Sequence, residues 1–223
     1  MPQQPLPHLE VGADRQEAEL CVILMHGLGA DGHDFADVAA ALAQAALPRR
    51  WRFVLPHAPA MPVTINFGTV MPAWYDILDL DHPRQVNWDT VTASQEGIES
   101  LLAAESADRV VLAGFSQGAA MALHVGLRHQ SQIAGILMMS GYLLASEKYP
   151  VPQPDTDTGP PIAIFHGADD PVVPLTAGQQ AHQDLLKTGY SPQVKTYPGL
   201  QHTVCDEEIR DVFAWLSEIS PAP

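Results

Sequence analysis

Ser116, His202 and the adjacent acids Asp169 and Asp170 are the residues whose types and chain order could do nucleophilic chemistry. A serine hydroxyl is a weak nucleophile near neutral pH; it attacks a carbonyl only when a base takes its proton and a carboxylate orients that base. Ser116 stands in the run Gly114-Phe115-Ser116-Gln117-Gly118. Gly-x-Ser-x-Gly alone is a weak signal. Here, however, the apolar run Val110-Val111-Leu112 precedes it, and the helix formers of 119–123 follow. That strand, turn and helix setting suits a serine on a strained corner, its hydroxyl lifted clear of the sheet. Glycines are required on both sides, because side chains at 114 and 118 would collide with the neighbouring strand and helix.

The base must come from elsewhere in the chain. Of ten histidines, His202 is the best placed, in a loop after the last apolar run and just before the final helix-like segment. His26 and His166 also close apolar runs, but each precedes a glycine, a setting in which a histidine shapes its loop. His33, His57 and His82 fall in loops without such a context, and His124, His129 and His182 fall on helix-like segments. The orienting acid is Asp169 or Asp170, and neighbouring side chains in a loop point apart, so one of them serves. The glycine-rich loop His26-Gly27-Leu28-Gly29-Ala30-Asp31-Gly32 lacks the spacing of a phosphate-binding loop. It suits an oxyanion hole made by the backbone N–H groups of Leu28 and Gln117.

The elements that must position these residues follow from periodicity. Apolar runs at 20–25, 52–55, 110–114, 133–139, 162–165 and 194–197 predict strands, and 35–46, 90–105, 117–128, 177–188 and 207–219 predict helices. In the last, Ile209, Val212, Phe213, Leu216 and Ile219 form one apolar stripe. Alternating strands and helices, with strands apolar throughout, indicate a parallel sheet covered on both faces, with ligands outside the carboxyl ends of its strands. The proline-rich stretches 56–62 and 150–161 read as loops within one domain spanning 1–223. The long segment 56–89, carrying Met61, Phe67, Met71, Trp74 and Tyr75, reads as a partial cover of the site.

Composition narrows the function. Twenty-six acidic residues against 11 basic ones give a net charge of −15, which repels phosphate backbones and anionic lipid surfaces. Nucleic-acid binding is excluded on this ground, and a small neutral substrate is favoured. Two cysteines, Cys21 and Cys205, are too few for a disulfide framework. The opening stretch has no basic and apolar pattern of a signal peptide, and no apolar run reaches membrane-spanning length. Together these predict a cytoplasmic protein without stable membrane insertion.

Taken together, HGLGADGHDF at 26–35, LPHAPAMPVTINFGTVMPAWYDI at 55–77, LAGFSQGAAMALH at 112–124, HGADDPVVP at 166–174 and YPGLQH at 197–202 resemble the carboxylesterase and acyl-protein thioesterase, lysophospholipase-like branch of the α/β-hydrolases. The resemblance implies a mostly parallel twisted sheet of about seven strands with helices on both faces, no metal and no organic cofactor. It carries over Ser116 as nucleophile, Asp170 as acid, His202 as base, Leu28 and Gln117 as oxyanion donors, and Trp74 as a residue near the acyl pocket. Met71 and Phe67 join Trp74 as expected substrate contacts. Two positions depart from the pattern: Phe67 stands where a glycine is common, and Ala119 replaces a usual glycine. Only about twenty residues separate the 133–139 and 162–165 runs, too few for a helical cap. The expected activity is hydrolysis of carboxylic esters with short to medium acyl chains, with acyl-protein thioesterase or lysophospholipase activity as the alternative. A non-catalytic ligand-binding relative is the remaining reading, and the resemblance permits a homodimer.

Overall fold

In the computed structural model, which describes residues 6–80, 84–107 and 109–220, nine strands and five α-helices alternate along most of the chain. In order they are β1 (His8–Gly12), β2 (Leu20–Met25), α1 (Ala36–Ala46), β3 (Trp51–Pro56), β4 (Ala60–Val63), β5 (Thr69–Pro72) and α2 (Trp88–Ala104). They continue with β6 (Arg109–Phe115), α3 (Gln117–Gly126), β7 (Gly135–Met139), β8 (Ile162–Gly167), α4 (Leu175–Thr188), β9 (Gln193–Tyr197) and α5 (Asp206–Ile219). Residues 1–5 of the proline-rich opening stretch and His82 lie outside the described residues.

Seven strands form one sheet in the order β1-β3-β2-β6-β7-β8-β9. All neighbours pair parallel except the edge strand β1, which runs antiparallel to β3. β2 shows why the strands are apolar throughout. Cys21, Ile23 and Met25 enter the core beneath α2, α3 and α4, while Leu20, Val22 and Leu24 enter the core beneath α1 and α5. A strand with helices on both faces has no solvent side, so it cannot alternate polar with apolar. In α5, Val212, Leu216 and Ile219 are buried, with Ile209 and Phe213 packed partly beside them, so the stripe faces the sheet as its spacing implies.

Two features of the fold escape the periodicity. β1 pairs along one edge only, and its sequence HLEVG carries no apolar run. β4 and β5 form a separate antiparallel hairpin inside the segment expected to be a loop; both carry a proline and are largely uncovered. Prolines lack an N–H for a ladder and are tolerated in an edge ribbon of this kind. The predicted strand 133–139 begins later, at Gly135, after a 3₁₀ turn over Gln130–Gln132. Between β7 and β8, residues 140–161 contain no helix.

Candidate active site

Ser116 sits between β6 and α3 with φ 56° and ψ −117°, a left-handed conformation that non-glycine residues rarely adopt. The surrounding structure holds it there. Its N–H bonds Met139 O at 2.9 Å, and Ala120 N–H bonds its carbonyl at 3.2 Å. A Cβ on Gly114 would lie 2.3 Å from the Gly118 carbonyl, and one on Gly118 would lie 2.3 Å from Met25 O. Both glycines are therefore required by backbone crowding, from α3 in one case and the end of β2 in the other.

The three chemically suited residues meet here. The Ser116 hydroxyl lies 2.9 Å from His202 Nε2, and His202 Nδ1 lies 2.6 Å from Asp170 Oδ2. The Asp170 carboxylate is fully buried, and its other oxygen accepts the N–H groups of Val172 at 2.8 Å and Val173 at 2.9 Å. These bonds fix the carboxylate so that one oxygen faces the imidazole, which sets the Nδ1–H tautomer and leaves Nε2 as the acceptor for the serine proton. The Phe115 ring packs 4.7 Å from the His202 ring and limits its rotation.

Asp169 faces elsewhere: its Oδ2 accepts Gly199 N–H at 2.9 Å, so the choice between the two acids is decided by where each side chain points. His26 and His166 shape loops, as their His-Gly context implies. His26 Nδ1–H bonds Gly27 O at 2.7 Å while Nε2 accepts Ala58 N–H at 3.1 Å. His166 Nε2–H bonds Val173 O at 2.9 Å and supports the Asp170 turn. Burial pushes both rings below the ordinary histidine range, so both are neutral donors to backbone.

The Gly27-Leu28 turn runs beside the serine, since a Cβ on Gly27 would lie 3.5 Å from Ser116 Cβ. Neither Leu28 N–H nor Gln117 N–H takes part in a described backbone hydrogen bond, whereas Gly29 N–H bonds Pro72 O and Ala30 N–H bonds Gly27 O. Leu28 N–H belongs to the turn beside the serine, and Gln117 N–H lies at the amino end of α3, where the helix dipole favours negative charge.

The expected substrate contacts divide three ways. Met71 lies by the Gly27–Gly29 turn, with its Sδ 3.8 Å from where a Cβ on Gly29 would stand. Phe67 is wholly exposed at the tip of the β4–β5 hairpin, in a left-handed conformation. Trp74, expected near the acyl pocket, is buried, and its indole N–H donates to His26 O at 2.8 Å. It supports the turn that begins at His26.

The periodicity gave no sign of the Gln117 side chain. Its Oε1 accepts Trp74 N–H at 2.8 Å and its Nε2 donates to Tyr75 O at 2.7 Å, clamping the 73–75 segment to the nucleophile turn. Among the described residues, Asp31, His33 and His57 alone bring three potential metal-ligand atoms within 4.8 Å of one another. One atom of each is used within the loop: Asp31 Oδ1 caps the His33 N–H and meets His33 Nδ1, and His57 Nδ1 accepts Gly32 N–H. These bonds tie the 31–33 turn to His57.

Residues 6–220 match the family described as phospholipase/carboxylesterase. Acyl-protein thioesterase 1 of Neurospora crassa is 38% identical over 212 residues, covering 90% of this chain and 86% of that protein. Acyl-protein thioesterase 1 of Gibberella zeae is 36% identical, with 90% of each chain covered. Among solved structures, acyl-protein thioesterase 2 of Zea mays superposes with a TM-score of 0.79 at 25% identity, covering 96% of this chain and 98% of that one. Esterase PE8 superposes with a TM-score of 0.74 at 29% identity, covering 96% and 99%.

Proposed function

Because the chain belongs to the phospholipase/carboxylesterase family of hydrolases, we propose that it cleaves acyl thioesters and carboxylic esters through an acyl-enzyme on Ser116. The observation that carries this reading is the unbroken line from Asp170 through His202 to Ser116, at 2.6 and 2.9 Å. His202 Nε2 takes the Ser116 proton as Oγ attacks the carbonyl carbon, and the Leu28 and Gln117 N–H groups receive the oxyanion. Collapse breaks the bond to the thiolate or alkoxide, which leaves with the proton from His202. Water, deprotonated by the same nitrogen, then attacks the acyl-enzyme and releases the carboxylic acid and free Ser116. One water is consumed for each acid and thiol or alcohol formed.

The family resemblance puts the carboxylic ester first and the thioester second. The names of the relatives, acyl-protein thioesterase 1 in both fungi, favour the thioester as the better substrate. No helix among the described residues is long and apolar enough to cross a membrane, and the net charge of −15 disfavours anionic lipid surfaces. A small acyl ester or thioester is therefore preferred over a phospholipid in this reading.

A fluorophosphonate probe tests the nucleophile, and phenyl butyrate against S-phenyl thiobutyrate tests the bond. Ser116→Ala is expected to abolish labelling and to lower turnover by about a thousandfold or more. Wild-type rates in that variant would overturn the proposal.

A further inference from the structure

Three side chains outside the Ser116–His202–Asp170 line meet at the surface. Asp31 and His33 stand in the turn after β2, His57 follows β3, and one potential ligand atom of each lies within 4.8 Å of the other two. Asp31 and His33 are exposed and His57 is half-buried, so the group is open to solvent. The backbone brings them together. Gly32 N–H donates to His57 Nδ1 at 3.1 Å, and His57 N–H donates to Pro7 O at 2.8 Å. A Cβ on Gly32 would strike the Leu55 carbonyl, so only glycine lets the turn lie this close to the end of β3. The two imidazole rings are left with centroids 5.5 Å apart and planes tilted by 40°.

The donor set is that of a transition metal. Asp31 Oδ1 and His33 Nδ1 are 2.9 Å apart, near the spacing of about 3.3 Å between neighbouring ligands of a tetrahedral zinc ion. With the His33 proton on Nε2, the two atoms offer their lone pairs to one point, and the ion takes the place of the proton between them. His57 supplies the third ligand. An ion at its Nδ1 takes the lone pair that Gly32 N–H uses, and an ion at its Nε2 requires the proton on Nδ1, so either way Gly32 N–H exchanges this acceptor for water. The remaining gap closes by rotation of exposed side chains.

We propose that Asp31, His33 and His57 bind one divalent transition-metal ion of the zinc class, through one carboxylate oxygen and two imidazole nitrogens, with water as the fourth ligand. Two imidazoles select zinc, nickel or copper over calcium and magnesium, which take oxygen ligands. The net charge of −15 raises the concentration of any cation near this surface. A bound ion joins the turn after β2 to the end of β3, two segments that the unfolded chain leaves apart, so it stabilises the folded state.

The test is a titration of the metal-stripped full chain with zinc chloride, followed by calorimetry and by thermal melts, with cobalt(II) chloride as a spectroscopic probe of imidazole ligation. Wild type is expected to bind one zinc ion per chain saturably, with a rise in Tm that calcium chloride does not reproduce. Asp31→Asn, His33→Gln and His57→Gln are each expected to weaken that binding about tenfold or more and to lose the visible cobalt spectrum. His33→Gln is the decisive variant, since the His33 side chain is exposed and bonds Asp31 alone among its close neighbours, so its melt without metal should match wild type. His202→Gln and His129→Gln should bind zinc as wild type does. Absence of saturable zinc binding in wild type overturns the proposal, as does zinc binding undiminished in His33→Gln and His57→Gln. Loss of the binding in His202→Gln also overturns it, because the ion would then sit on the triad, and an equal rise in Tm with calcium chloride does the same.

Discussion

Asp169 Oδ2 accepts the backbone N–H of Gly199 at 2.9 Å, and Asp169 N–H in turn donates to Leu200 O at 3.0 Å, so the turn carrying the acid is tied to the turn carrying His202. The two turns are close enough that a Cβ on Gly167 would lie 2.5 Å from Leu200 O. Asp170, one residue on, reaches the imidazole itself. Adjacent carboxylates thus hold separate offices, one aligning two loops and the other orienting a ring.

Their variants are expected to differ in kind. Asp170→Asn keeps an acceptor for the Val172 and Val173 N–H groups but favours the wrong imidazole tautomer, so kcat should fall by roughly 10³ to 10⁴ with little change in Tm. Asp169→Ala should lower kcat far less, about tenfold, with a stability loss on the order of 1 kcal/mol from the missing bond to Gly199. Steady-state kinetics and thermal melts on the two proteins check the order; equal losses of kcat would contradict it.

Gln117→Leu separates the side chain of this residue from its backbone donor. The variant keeps the N–H facing the serine but strands Trp74 N–H and Tyr75 O in a buried site. Each stranded group costs about 1–3 kcal/mol, so denaturant unfolding should show a loss of several kcal/mol.

Glu208, in the first turn of α5, is buried; neither carboxylate oxygen has a full hydrogen-bond partner, the Cys205 N–H making only a weak contact. Burial pushes its carboxyl up to about 7, and nearby Asp211 adds to the rise. Between the ordinary value of 4.5 and about 7, the folded chain holds a proton that the unfolded chain has released, so stability falls as pH rises through that window and levels off above it. Glu208→Gln removes the slope. Its Tm relative to wild type should therefore be higher at pH 8 than at pH 5, by an amount corresponding to a few kcal/mol at most. Calorimetry at the two pH values decides it, and an identical offset at both would rule out the buried acid as the source.

The amino-acid sequence by itself determined those features that one segment can express. The unbroken apolar run Leu20–Met25 could only be a strand covered on both faces, and Gly114 and Gly118 around Ser116 could only mark a crowded corner. The stripe along α5 likewise announced its buried side. Short or exposed elements were not legible: β1 owes its conformation to a partner forty or more positions away, and the β4–β5 hairpin buries too little to leave a pattern. The residue types in order left the acid open between Asp169 and Asp170, and the family resemblance named Asp170. The folded chain, by bringing His202 across 86 positions to Ser116 and 32 to Asp170, set Asp170 against the imidazole, turned Asp169 toward Gly199, and buried Trp74 against the His26 carbonyl. Periodicity records which side of its own element a residue faces; what it faces there is set by contacts between distant segments, and these exist only once the sheet has formed.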